Sequence, residues 1–395
     1  MEAIKMEGNV PEIRLKGFTG AWVQRELRDV ADFFNEKRIP IDSTLRTSGE
    51  YPYYGATGII DYVNDYIFDG EYVLLAEDGA NIINRNSPIA YLTQGKFWLN
   101  NHAHIMKMKN GDNCFLLQLL ERQNYSNLNT GTAQPKLNGE VVKKIMLTLP
   151  QKEEQIAIGK FFRTLDSNIT LHQQKLDGLK NLKKGYLQQM FPQAGETVPK
   201  IRLKGFTEPW EERKLGDIAE IVGGGTPDTK NLEYWGDEID WYTPAEIGKQ
   251  IYVDGSRRKI TTLGLRKSSA VMLPVGTVLF TSRAGIGNTA ILEKAGATNQ
   301  GFQSIVPNKN DLDSYFIFSK THELKRYGET VGAGSTFIEV SGKQMAVMSL
   351  LIPTLPEQIA IGNFFRNLDN QITAQSQKVE QLKQLKAAYL QKMFV

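Results

Sequence analysis

The run Gln155 to Phe191, QIAIGKFFRTLDSNITLHQQKLDGLKNLKKGYLQQMF, returns 203 positions later as Gln358 to Phe394, QIAIGNFFRNLDNQITAQSQKVEQLKQLKAAYLQKMF. Of the 37 aligned positions 23 are identical, so the pair is a duplicated element. Alternate steps of four and three from Ile158 meet Phe162, Leu165, Ile169, His172, Leu176, Leu179, Lys183, Tyr186 and Met190. The same steps from Ile361 meet Phe365, Leu368, Ile372, Gln375, Val379, Leu382, Lys386, Tyr389 and Met393. Such a heptad ladder predicts one long helix in each copy. Neither ladder can bury its seam alone, so the economical partner of each helix is the other. The polar rung His172, with Gln375 at the equivalent place, is expected to fix alignment. Lys183 and Lys386 are expected to bury their stems and keep their heads in water.

The direction of the helices follows from lengths. Pro192 to Val198 links the first helix to the next domain and reaches at most about 25 Å, whereas Ile158 to Met190 spans about 48 Å. The second domain therefore starts near the far end of the first helix and feeds the second. Antiparallel helices with one globular domain at each end are expected.

Outward from the helices lies a second repeat. Pro11 to Phe33, PEIRLKGFTGAWVQRELRDVADF, matches Pro199 to Ile221, PKIRLKGFTEPWEERKLGDIAEI, 188 positions later with 13 identities in 23. Trp22 and Trp210 within it are expected to seat each domain on the helices. Between the shared ends the interiors differ, and short β-branched and aromatic runs alternate with Gly, Pro, Asn and Asp, as in β-rich domains. Tyr72 to Ala76 and Thr277 to Thr281 each read as a buried strand before a polar turn, and Gly131-Thr132 corresponds to Gly334-Ser335. The expected class is α+β: two mixed, β-rich domains separated by a long antiparallel two-helix coiled coil, with a pseudo-two-fold repeat. The boundaries are a loose tail at 1–10, a domain at 11–150, a helix at 151–192, a linker and second domain at 193–354, and a helix at 355–395.

Composition bounds the chemistry. The 395 residues are 41% apolar and 23% charged, with net charge +3, which permits an anionic partner without demanding one. Cys114 is the single cysteine, which excludes an internal disulfide and suits a reducing compartment. No run of about 18 apolar residues and no signal peptide is present, so membrane insertion and secretion are not expected and a cytoplasmic location is. There is no Asn-Pro-Pro-Tyr or Asp-Pro-Pro-Tyr run and no phosphate loop ending in Gly-Lys-Ser/Thr. Pro227 breaks the Gly223-Gly224-Gly225 run, and His102 and His104 lack companion ligands, so no catalytic or metal site is expected.

The polar loops do carry residues suited to DNA. In the first domain these are Lys37, Arg38, Tyr53, Tyr54, Asn81, Arg85, Asn100, Asn101, Gln134 and Lys136. In the second they are Thr226, Lys230, Tyr242, Arg257, Arg258, Ser282, Arg283, Gln300, Ser335 and Thr336. Arg and Lys suit guanine and phosphate, Asn and Gln suit adenine, and hydroxyls suit either. Repeated ends around unlike interiors describe two readers of different targets.

This layout resembles the specificity (S) subunit of type I restriction-modification systems. The markers are Arg14-Leu15-Lys16-Gly17-Phe18 and Arg202-Leu203-Lys204-Gly205-Phe206, the helix starts Glu154-Gln155 and Glu357-Gln358, the pairs Leu165-Asp166 and Leu368-Asp369, and the Leu-Gln-x-Met-Phe helix ends. The resemblance implies two target-recognition domains on double-stranded DNA, with a spacer set by the helices. It implies two modification subunits that methylate adenine from S-adenosylmethionine and two restriction subunits that use ATP and Mg. The chain itself would hold no cofactor and perform no chemistry. Two rival readings stand beside it: a two-headed scaffold for peptides or glycans, and a specificity subunit of a methylation-only complex.

Overall fold

The computed structural model describes residues 10–131, 133–193, 195–283, 285–332 and 339–395. Most of the tail at 1–10, together with Thr132 and the Gly334-Ser335-Thr336 segment, lies outside them. Two helices of 38 residues each, Lys152–Gln189 and Leu355–Lys392, are the longest elements. Glu153 and Glu154 in the first turn of one, and Glu357 in that of the other, complement the positive helix ends. Every expected rung from Ile158 to Met190 and from Ile361 to Met393 is buried or half-buried. A buried rung such as Leu165, Leu176 or Val379 contributes about 1.5–3 kcal/mol.

The chain divides into two units, one of residues 1–174 and 376–395 and the other of 175–375. Inside the first unit the two helix segments run antiparallel: Phe161 meets Tyr389 edge-on at 5.0 Å and Asp166 pairs with Lys386 at 2.6 Å. Inside the second unit Tyr186 meets Phe364 at 4.9 Å and Lys183 pairs with Asp369 at 2.6 Å, which is the same arrangement with the roles of the copies exchanged. The lysine heads are thus held by carboxylates instead of standing in water. Asp369 is 7% exposed and also accepts from the Tyr315 hydroxyl, so a lysine at this rung neutralises a buried charge.

Each domain is closed by a two-stranded antiparallel ribbon, Val23–Glu26 with Met146–Leu149 in the first and Glu211–Lys214 with Ser349–Ile352 in the second. Trp22, 1% exposed, packs on Phe115 and Phe394, and Trp210, 2% exposed, on Phe316 and Phe191. Both tryptophans therefore seat their domain on the end of a long helix.

The interiors share a topology that their sequences do not announce. In the first domain one sheet runs Ala31–Phe33, Ala103–Met108, Tyr72–Ala76, Ala90–Thr93, all antiparallel. In the second the corresponding order is Ala219–Gly223, Gln303–Pro307, Val278–Phe280, Thr289–Leu292, extended by Tyr252–Val253. A second sheet in each domain contains one parallel pair: Tyr53 and Tyr54 face Trp98 and Leu99, and Trp241 and Tyr242 face Ala297 and Thr298. Close backbone packing explains the glycine run, because a Cβ on Gly224 would stand 2.0 Å from the Asn299 carbonyl oxygen. No helix among the described residues is long and apolar enough to cross a membrane.

Candidate nucleic-acid interface

One turn recurs in both domains and positions their polar loops. The Asn100 amide donates to the Tyr54 carbonyl at 3.1 Å, and that of Asn299 to the Tyr242 carbonyl at 3.0 Å. Each asparagine then accepts at Oδ1 from the amide two residues on, that of His102 at 2.8 Å and that of Gly301 at 2.9 Å, a side-chain turn that short polar residues form readily. The amides of Glu77 and Ser282 donate to the carbonyls of His102 and Gly301, and those of Leu137 and Val340 to the carbonyls of Glu77 and Ser282. Asn101 and Gln300 stand at the centre of these turns and are exposed.

In the first domain the structure joins three candidates, Arg38, Asn101 and Lys136, into one cluster around Glu77. Arg38 donates to Glu77 at 2.6 Å and to the Asn101 carbonyl at 3.4 Å, and Lys136 pairs with Glu77 at 3.3 Å. Burial alone would raise the Glu77 carboxyl, but the Arg38 hydrogen bond and the neighbouring positive groups hold it below the ordinary carboxylate range. Asn100 is 4% exposed, so it shapes the turn and does not face solvent. Tyr53, 1% exposed, receives the Ile41 amide at its hydroxyl, and Tyr54 packs edge-on against Phe97. Asn81 closes its own loop on Ser87 and Pro88, and Arg85, the one non-glycine at positive φ among the described residues, ties that loop to Glu121. Lys37, exposed over the Phe34 ring, and Gln134 are at the surface.

In the second domain Tyr242 and Ser282 are fully buried and do not present their side chains outward. Thr226 donates through Oγ1 to Gln300 Oε1. Arg258 stacks over Trp235 with the guanidinium carbon 3.7 Å from the ring centroid, and Arg283 pairs with Glu339 at 2.9 Å. Lys230 and Arg257 are exposed, with the Arg257 amide fixed on Glu246. Exposed cations of this kind supply phosphate contacts, and amides and guanidinia supply base contacts. Ser335 and Thr336 lie outside the described residues.

The two histidines do not form a metal pair. His102 Nδ1 lies 2.8 Å from Asp78, whereas His104, 1% exposed, bonds the Leu137 carbonyl through Nε2 and the Asn35 amide through Nδ1. Because Asn35 Oδ1 is occupied by the Ile105 amide, its nitrogen must donate to Nδ1, which keeps the ring neutral. Burial pushes the imidazole below its ordinary value, against the opposing pull of the Leu137 carbonyl and Glu77. The unfolded ring protonates at about pH 6.5, so this contribution to stability is complete above that pH and is lost as pH falls toward the lower folded value. Resistance of the full chain to urea is therefore expected to fall as pH drops below about 6.5, and His104→Gln is expected to flatten that slope. An unaltered slope in His104→Gln would contradict the assignment. Cys114 is buried, and burial pushes its thiol up to about 11, which leaves it unreactive.

Sequence reasoning singled out Arg14 and Glu154 separately but not as partners. Arg14 grips Glu154 in a two-point pair at 2.7 and 2.6 Å, and Arg202 grips Glu357 at 2.8 and 2.7 Å. The signal was available, since both arginines recur at a spacing of 188 and both glutamates at 203. Asn35, which holds His104 and the Ile105 amide, and Glu77, which holds Arg38, carried no such repeat.

Comparison with known proteins agrees with this architecture. The family model for the type I restriction modification DNA specificity domain matches residues 20–181 and again 207–384. A putative type I restriction enzyme specificity subunit of Haemophilus influenzae is 27% identical, with 91% of each chain aligned. A type I restriction enzyme specificity subunit of Methanocaldococcus jannaschii is 33% identical over 47% of this chain and 44% of its own length. The crystal structure of the type I restriction-modification S subunit from M. genitalium superposes with a TM-score of 0.69 at 14% identity, covering 98% of this chain and 99% of that one. With a matched domain on each half and a shared fold along nearly its whole length, the chain belongs to the type I restriction-modification DNA specificity family.

Proposed function

We propose that this chain is the non-catalytic address reader of a type I restriction-modification complex in the cytoplasm. Each β-rich domain reads one half of a bipartite duplex DNA sequence, and the paired helices set the length of the unread spacer between the halves. Two modification subunits bound to the chain methylate adenine from S-adenosylmethionine, and two restriction subunits add ATP- and Mg-dependent translocation and cleavage. The observation that supports this reading best is the repeated turn: one backbone arrangement, built twice, presents different polar side chains in the two domains. A frame with exchangeable contents is what independent half-site reading requires. The exposed Lys37, Lys136, Lys230, Arg257 and Arg258 hold phosphates, so binding weakens steeply with salt.

Exchange of residues 35–129 for the equivalent segment of another system tests the reading. Methyladenine mapped across the genome of cells carrying the hybrid is expected to change in one half-site, with the other half and the spacer retained. Change in both halves, or in neither, would defeat the proposal.

A further inference from the structure

We infer that Asn101 and Gln300 are the matched base-reading residues of the two domains, each placed to pair with an adenine in its own half-site. The inference rests on the domains being DNA readers and goes further by naming one side chain in each. The strand registers establish the equivalence. Phe33 faces Met106 and Ile221 faces Ile305, so the strands after the turns differ by 199 positions, and that spacing carries residue 101 onto residue 300. The residue that touches each turn residue is matched as well: Arg38 bonds the Asn101 carbonyl and Thr226 bonds the Gln300 amide oxygen, and these two positions are 188 apart, the spacing of the domain-entry repeat.

The chemistry favours reading over structure. The turn consumes the side chains of Asn100 and Asn299 and leaves the following residue pointing outward, so the fold itself accepts any side chain there. Both domains nevertheless place a primary amide at that position. An amide offers a donor and an acceptor side by side, the pattern that matches N7 and N6 of adenine in the major groove. Thr226 also holds the oxygen of Gln300, which lowers the ordering cost of binding while leaving its second lone pair and its nitrogen for a base. Arg38 is neutralised by Glu77 and acts on the Asn101 backbone, so it positions the loop and does not compete for the base.

The test uses the full chain in its complex, carrying Asn101→Ala or Gln300→Ala, with bound duplexes selected from a randomised pool and methyladenine mapped in cells. Asn101→Ala is expected to relax one A·T position in one half-site, with preference there falling about ten- to a hundredfold, and Gln300→Ala one position in the other half. Asn101→Gln and Gln300→Asn are expected to weaken preference at the same positions by less. Unfolding midpoints are expected to stay at the parent value. An unchanged target sequence, relaxation in both halves from one substitution, or a loss that follows a lowered midpoint would overturn the inference. If exchange of residues 35–129 redirects one half-site while Asn101→Ala does not, this inference alone fails; if that exchange redirects nothing, the underlying reading fails.

Discussion

Truncation of Trp22 to alanine is expected to lower the unfolding free energy of the first unit by about 4 kcal/mol. The indole is 1% exposed and lies edge-on to Phe115 at 5.9 Å and Phe394 at 6.1 Å. Its removal opens a cavity where the domain meets two helix ends. The Nε1 of Trp22, like that of Trp210, has no hydrogen-bond partner among the described residues. The loss is therefore one of packing, and Trp22→Phe, which keeps one aromatic ring in the socket, is expected to cost less than Trp22→Ala. Trp210→Ala should have a comparable effect on the second unit, through Phe191 and Phe316. Urea unfolding followed by far-ultraviolet circular dichroism reads these losses, and a parental midpoint for Trp22→Ala would refute the role given to the indole.

Glu154→Ala is expected to cost about 3 kcal/mol, the low end for removing one partner of a buried ion pair. Glu154 is 1% exposed and its partner Arg14 15% exposed, so deletion of the carboxylate leaves a cation with little water around it. Arg14 keeps the Gly20 and Thr19 carbonyls, which offsets part of the loss. Glu357→Ala should act likewise on Arg202. The double replacement Arg14→Ala with Glu154→Ala is expected to cost less than the two single changes added together. Strict additivity would mean that the pair contributes no coupling.

How much of this could be read from sequence depended on which forces leave a periodic trace. The long helices were legible because packing of one face repeats every seven residues, and the antiparallel direction followed from a linker too short to span a helix. The roles of Lys183 and Lys386 were misread, since their partners Asp369 and Asp166 belong to the other repeat and lie far away in sequence. In the loops, residue type does not say which way a side chain points. Tyr53, Asn100, Tyr242 and Ser282 have the chemistry of readers but face inward, and Asn81 and Arg85 are occupied with their own loop. The common turn escaped because its bonds are made by backbone groups, which any sequence supplies, with Asn100 and Asn299 as its only side-chain marks.

The first unit draws residues 376–395 into its core, with Met393 and Phe394 packed beside Trp22 and Phe162. During synthesis the ribosome must therefore make the whole second domain before the first can finish folding. Some two hundred residues separate the end of the first long helix from Phe394, a wait of roughly 10–40 s at usual elongation rates. For that interval the nascent protein exposes an apolar socket. Chaperone demand, and sensitivity to chain termination before residue 376, should accordingly fall on the domain that was translated first.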